Sequence, residues 1–188
     1  VGSEMCIRDR PKGSKIFEFG SGDGKNAKYI EDLGYDITAS DVAEDFINAT
    51  KSTGVKTIKF NVLEDEFEEK YDGVFAWRVF VHFTKEDALK VLQKTYDSLE
   101  DNGLFVFNVM NREGKAVDEE WVDFPNEYHI GAERYYKYFR EEDMNEIIAK
   151  TGFKVSGFHT EGGTNNNKWL VYCLLYTSDA ADDRISVD

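Results

Sequence analysis

The stretch Ile16-Phe17-Glu18-Phe19-Gly20-Ser21-Gly22-Asp23-Gly24-Lys25-Asn26-Ala27 decides how this chain is read. A largely apolar, strand-like run leads into a turn with glycine at three alternate positions, and a helical pattern starts at once. Glycine lets the backbone turn tightly, and it leaves room for a ligand where a Cβ would otherwise stand. The helix that follows offers unpaired N–H groups and the positive end of its dipole. Such a strand–turn–helix unit suits an anionic or strongly polar cofactor. A dinucleotide fingerprint would need G-x-G-x-x-G, with its third glycine where the helix meets the strand. That position holds Lys25, so the fingerprint fails by one residue.

Further stations follow in order. Tyr35 to Asp41 reads as a second strand ending in an acid, about twenty residues beyond the glycine turn, where a carboxylate accepts hydrogen bonds from both ribose hydroxyls. Asp41 is also suited to cap a helix starting near Val42, which is the structural alternative. Thr57 to Val62 looks like the end of a third strand. Tyr71 to Trp77 is a fourth, trailed by Arg78-Val79-Phe80-Val81-His82-Phe83, and Leu99 to Phe107 reads as helix end, turn and fifth strand. Helices are expected near residues 24–33, 43–52, 85–99 and 141–151. Phe153 to His159 and Lys168 to Tyr172 look like two closing strands with no helix between them. The expected fold is α/β: a Rossmann-like, mostly parallel sheet with helices on both faces and an antiparallel C-terminal hairpin.

This order of stations resembles the class I S-adenosylmethionine (SAM) methyltransferases of the small-molecule type, over nearly all of residues 14 to 172. The family usually reads acidic-x-G-x-G-x-G at its first motif, here Glu18-x-Gly20-x-Gly22-x-Gly24. The resemblance implies SAM as cofactor, with Glu18, Gly20, Ser21, Gly22 and Asp23 in the first motif and Asp41 and Val42 at the ribose. It further places Asn61 and Val62 near the adenine and Trp77 at the end of the fourth strand. Two stations depart from the common pattern: Asn61 stands where many relatives carry Asp, and Asp101-Asn102-Gly103 replaces Lys-Pro-Gly-Gly. Asn61 can still accept a hydrogen bond from the adenine amine, and the second replacement keeps turn chemistry.

Methyl transfer from a sulfonium is an in-line displacement, for which the protein mainly positions donor and acceptor. A base is needed only where the acceptor, an O, N or C atom, must lose a proton. His82 is the first candidate for that base, at a station where the small-molecule branch often has histidine, and its alternative is a packed helix-start residue. His129 is the second. The long segment from Asn111 to Phe139 is dense in aromatics, and Trp121, Tyr128 and Tyr136 are candidate substrate contacts. They serve equally well as satellite core. Two other functions stay open: a SAM-binding protein without transferase activity, and a nicotinamide-dependent oxidoreductase.

Both ends of the chain resemble translated sequencing-adapter sequence, Glu4 to Asp9 at one end and Cys173 to Ser178 at the other. Residues 1–10 and 173–188 are therefore expected to be non-native tails, and 11–172 a methyltransferase domain shortened at its N-terminus, as in a metagenomic fragment. The only two cysteines, Cys6 and Cys173, fall in those tails, so the reading provides no disulfide or thiolate metal site. The chain has 23 basic and 37 acidic residues. Setting aside Arg8, Arg10, Arg184 and Glu4, Asp9, Asp179, Asp182, Asp183, Asp188 leaves 20 against 31. An excess of negative charge opposes a nucleic-acid partner. No apolar run approaches the roughly 18 residues of a membrane span. The expected setting is cytoplasmic, the partner a small-molecule methyl acceptor, and no metal is expected; oligomeric state stays open.

Overall fold

The structure is a computed structural model that describes residues 10–123, 133–163 and 167–178. In chain order the elements are β1 (Lys15–Phe19), α1 (Lys25–Asp32), β2 (Asp36–Asp41), α2 (Glu44–Ser52), β3 (Thr57–Lys59), β4 (Tyr71–Ala76), a single 3-10 turn (Phe80–His82), α3 (Lys85–Asp97), β5 (Leu99–Met110), β6 (Glu119–Asp123), β7 (Glu133–Lys137), α4 (Glu141–Ala149), β8 (Lys154–Gly162) and β9 (Lys168–Leu175). Seven strands form one sheet in the order β3-β2-β1-β4-β5-β9-β8. The first five run parallel, and β9 pairs antiparallel with both β5 and β8. The expected α/β sheet with an antiparallel closing hairpin is the one observed.

Strand alternation divides the core into two layers. Phe17 and Phe19 of β1 join Val74, Ala76, Phe105 and Phe107 on one face. There they meet Ala88, Val91 and Leu92 of α3 and Met144, Ile147 and Ile148 of α4. These helical positions recur at the three- and four-residue spacing of an amphipathic face. Ile16, Ala39, Phe75 and Val106 point the other way, onto Ala27 and Ile30 of α1. The central strands are buried on both faces, which is why they read as near-continuous apolar runs. A capping box starts α3, with Thr84 Oγ1 accepting from the Asp87 N–H at 3.1 Å and the Asp87 carboxylate accepting from the Thr84 N–H at 3.3 Å.

Several boundaries differ from the sequence reading. The turn expected at Asp101-Asn102-Gly103 is a bulge inside β5, whose register against β4 passes from Tyr71↔Leu99 to Gly73↔Leu104. Asn102 absorbs it in a left-handed conformation, φ 61°. A strand over Arg134–Arg140 shortens to β7 and pairs with the unforeseen β6 in a two-stranded sheet. At the C-terminus, β9 does not stop at Tyr172. Cys173 and Leu174 are buried, and Leu175 pairs with Leu104 and Lys154.

Candidate active site

The chain leaves β1 at Phe19 and turns through Gly20, Gly22 and Gly24 at φ 73°, 55° and 77°. All three angles lie in the left-handed region that glycine tolerates best. Two of these glycines are also confined by space: a Cβ at Gly20 would stand 2.4 Å from Val79 Cγ2, and one at Gly24 2.9 Å from the Thr50 backbone. Gly22 differs, because a Cβ there would meet nothing within 4 Å. It faces the cavity.

Polar contacts hold the loop against β2 and α2. The Ser21 N–H donates to the Ser40 carbonyl at 2.9 Å, and the Thr50 hydroxyl donates to the Gly22 carbonyl at 3.0 Å. Asp41 closes the arrangement. Its Oδ2 accepts from the Gly22 N–H and its Oδ1 from the Ala43 N–H, each at 3.0 Å. The carboxylate thus has the structural role at the start of α2 and also lines the cavity, with a lone pair left on each oxygen.

Glu18 is fully buried two residues before Gly20, and neither of its carboxylate oxygens has a hydrogen-bond partner of ordinary geometry among the described residues. Burial pushes its pKa up to about 8, with the nearby Asn26 amide opposing and the Asp41 and Asp23 charges adding to the rise. A buried carboxyl beside the glycine turn, without a hydrogen bond of ordinary geometry, is costly unless a ligand group completes it.

A cavity of about 600 Å³ opens along the carboxyl ends of the parallel strands. Following the sheet order, its wall runs from Asn61 and Val62 after β3, past Asp41 and Val42 after β2 and the glycine loop after β1, to Arg78 and His82 after β4. Arg134 and Tyr135 of β7 close that last side. Ligands in sheets of this kind bind at these strand ends. A slightly larger cavity, about 670 Å³, lies beside α4, but its cations are engaged: Arg112 and Arg140 with Asp118, Lys168 with Glu113. It contains no part of the glycine loop.

His82 is fixed from outside the sheet. Its Nδ1 lies 2.9 Å from the Tyr135 carbonyl oxygen, which can only accept, so Nδ1 carries the proton and Nε2 keeps its lone pair. The Tyr136 ring meets the imidazole edge-on at 5.1 Å. Surrounding protein lowers the His82 pKa from 6.5, the hydrogen bond to Tyr135 opposes that, and the charge of Arg134 lowers it further.

Of the residues expected at the site, Gly20, Gly22, Asp41, Val42, Asn61, Val62 and His82 converge on the cavity. Glu18, Ser21, Asp23 and Trp77 do not line it. The Ser21 hydroxyl is turned to Thr50 at 3.2 Å, and Asp23 is paired with Lys25 on the surface. Trp77 shares the strand face of Phe75, on which it stacks at 5.7 Å, and packs on the α1 side. Trp121 is 65% exposed and leans on Tyr135 outside the cavity, while Tyr136 does not line it and meets the His82 ring. Tyr128 and His129 lie outside the described residues. Arg78, Arg134 and Tyr135 also line the cavity, and nothing in the sequence marked them for it. Among the described residues no group of three or more His, Cys, Asp or Glu converges as for a metal ion, and no helix is long and apolar enough to cross a membrane.

The methyltransferase domain family matches residues 5–156. Among curated proteins, a probable S-adenosyl-L-methionine-dependent methyltransferase TehB of Haemophilus influenzae is 26% identical over 144 residues, 73% of this chain and 49% of that protein. The chain therefore spans about half the length of the curated relatives it matches. A SAM-dependent methyltransferase of Methanosarcina mazei superposes with a TM-score of 0.80 at 12% identity, covering 92% of this chain and 97% of that one. The 1,6-didemethyltoxoflavin-N1-methyltransferase of Burkholderia thailandensis, solved with its substrate and S-adenosylhomocysteine, gives 0.71 at 19% identity over 89% and 72%. With a family match over most of its length and the sheet order described above, this chain belongs to the methyltransferase domain family.

Proposed function

We propose that this protein is a SAM-dependent methyltransferase acting on a small-molecule acceptor in the cytoplasm. The observation that carries the proposal is the convergence of an open glycine, the Asp41 carboxylate and Asn61 on one cavity at the strand ends, with the buried Glu18 carboxyl two residues before the glycine turn. The donor set suits the cofactor: a buried acid for a cationic amino-acid head, an acceptor pair for ribose hydroxyls, and Asn61 beside apolar Val62 and Phe60 for a purine. SAM, when bound, supplies a methyl group activated on a sulfonium. The protein's residues do the rest. The glycine turn admits the ligand backbone-close, Asp41 orients it, and the apolar wall excludes water. His82 stands after β4 with Nε2 able to take a proton from an O–H or N–H acceptor. The related proteins that carry substrate names, the toxoflavin-precursor enzyme and the magnesium protoporphyrin IX methyltransferase of Synechocystis, act on small molecules, which supports that class of acceptor here.

Calorimetric titration of the full chain with SAM and with NAD is the test. The expected result is SAM binding that weakens by about 1–3 kcal/mol in Glu18→Gln, as for a lost hydrogen bond to a charged group. NAD binding without SAM binding overturns the proposal in favour of a nicotinamide-dependent oxidoreductase. SAM binding with no methyl acceptor in a broad screen overturns the transferase part alone.

A further inference from the structure

Arg78 is the most unusual residue of the cavity wall. Its φ of 61° is left-handed, a conformation that costs an ordinary side chain and that glycine would adopt freely. Strained residues persist where the surroundings over-determine them, and they cluster at functional sites. Here the restraints are visible. The Arg78 N–H donates to Asn108 Oδ1 at 2.6 Å, and Asn108 is a nearly fully buried side chain in the middle of an otherwise apolar strand, β5. The guanidinium lies over the Trp169 ring, 5.4 Å from its centroid. Arg78 is nevertheless exposed, and it lines the cavity together with His82 and Arg134. Arg134 is close enough for its charge to act on both His82 and Tyr136.

Arg78, Arg134 and His82 thus all line the β4 side of the cavity, in a chain whose net charge is −14. Among the described residues the one acid on the cavity wall, Asp41, stands on the β2 side. Phe83 and Tyr135 flank the cations. We propose that this is an anion subsite for the methyl acceptor, with Arg78 as its specificity-determining residue and Asn108 as the positioning residue behind it. The acceptor is then a small organic acid whose carboxylate pairs with the planar Arg78 fork, while its apolar body lies against Phe83 and Tyr135. The inference rests on the proposed methyltransferase reading for the acceptor's role, and on the geometry alone for anion binding.

The test titrates benzoate and its neutral isostere benzamide into the full chain, with and without S-adenosylhomocysteine, for the parent and for Arg78→Gly and Arg78→Lys. The parent should bind benzoate at least about tenfold better than benzamide, as expected for a charge-assisted pair. Arg78→Gly should abolish that preference while leaving the melting temperature equal or higher, because glycine relieves the left-handed backbone. Arg78→Lys should recover only part of it. A role confined to packing on Trp169 gives the opposite pattern, with a lowered melting temperature and an unchanged benzoate preference. Equal binding of benzoate and benzamide by the parent overturns the subsite. A benzoate preference without any S-adenosylhomocysteine binding sustains the subsite and removes the cofactor reading instead.

Discussion

The imidazole of His82 joins two separate parts of the fold: its Nδ1 lies 2.9 Å from the main-chain oxygen of Tyr135, in β7, while His82 itself ends the turn after β4. A backbone carbonyl cannot donate, so this contact selects one tautomer and leaves Nε2 as the basic atom. The same contact ties the two-stranded β6–β7 sheet to the cavity wall.

If Nε2 removes the acceptor's proton, His82→Ala should lower kcat roughly 10²–10⁴-fold, the usual worth of a general base. SAM affinity should stay within about twofold, since no hydrogen bond to the cofactor is lost. The pH profile gives a second check. The His82 pKa is lowered from 6.5 by the protein around it. The base is therefore mostly unprotonated at neutral pH, and the main fall in rate should come below that ordinary value. A rate that still climbs above pH 7 would assign the proton transfer to another group.

If Glu18 meets a cationic group of the cofactor, it links binding to a proton. Its pKa of about 8 is set mainly by burial, so the unliganded site holds a neutral carboxyl at pH 7. A cationic ligand group stabilises the ionised form, and binding at pH 7 should release part of a proton. Titrations in buffers of different ionisation enthalpy measure this directly, and Glu18→Gln should abolish the buffer dependence. The sign for stability follows from the same shift. Between pH 4.5 and about 8 the folded state keeps a proton that the unfolded state has lost. Stability of the unliganded protein therefore decreases as pH rises across that window, by up to about 1.4 kcal/mol per unit from this group. Glu18→Gln should flatten that slope, and parallel curves for the two proteins would count against a raised pKa.

The two glycines that enter the loop separate folding from binding. Gly20→Ala combines φ 73° with a Cβ 2.4 Å from Val79 Cγ2, so it should lower stability by about 1–3 kcal/mol, as overpacking does. Gly22→Ala has φ 55° and open space, so the fold should lose only about 1 kcal/mol from the left-handed backbone. Its methyl group occupies the ligand's side of the loop, and SAM affinity should fall roughly ten- to hundredfold. Chemical denaturation and calorimetry on the two variants read these effects independently. Equal SAM affinity in Gly22→Ala would show that the ligand does not approach this backbone.

The glycine loop and the strand-end acid were legible because each rests on a local rule: alternate glycines for a left-handed turn, and a fixed interval from that turn to the end of the next strand. Trp77 shows where such reading fails. It directly follows β4, whose last residue is Ala76, and alternation puts it on the face of Phe75, toward α1, while the cavity begins only with the next residue. Arg78 gave no signal at all, because a left-handed turn normally announces itself as Gly or Asn. The restraint that holds Arg78 there comes from Asn108, thirty residues away. Tyr135 was likewise hidden, since its contribution to His82 is a carbonyl that every residue possesses. The resemblance of the chain's ends to adapter sequence drew the domain boundary at Tyr172, although the apolar run from Trp169 to Leu175 continues as one strand.

That last difference has a measurable consequence. Residues 173–175 extend β9 between β5 and β8, where Cys173 pairs with Val106 and Gly157, and Leu174 with Phe105 and Val155. Leu174 is fully buried in the larger core cluster, and the Tyr176 ring stands 4.6 Å from Tyr96 of α3. Whatever the origin of these residues, the fold uses them. Ending the chain at Tyr172 removes three rungs from an interior strand together with two leucines and the Tyr176–Tyr96 contact. Leu174→Ala alone should cost about 2–5 kcal/mol, the range for a buried leucine, and the truncation should cost more. Thermal unfolding of residues 1–172, 1–178 and the full chain separates the possibilities. The longer two should melt together and the shortest well below them, or without a cooperative transition. Coincident melting of all three would mean that β9 ends at Tyr172 in solution and that the last rungs contribute nothing to the core.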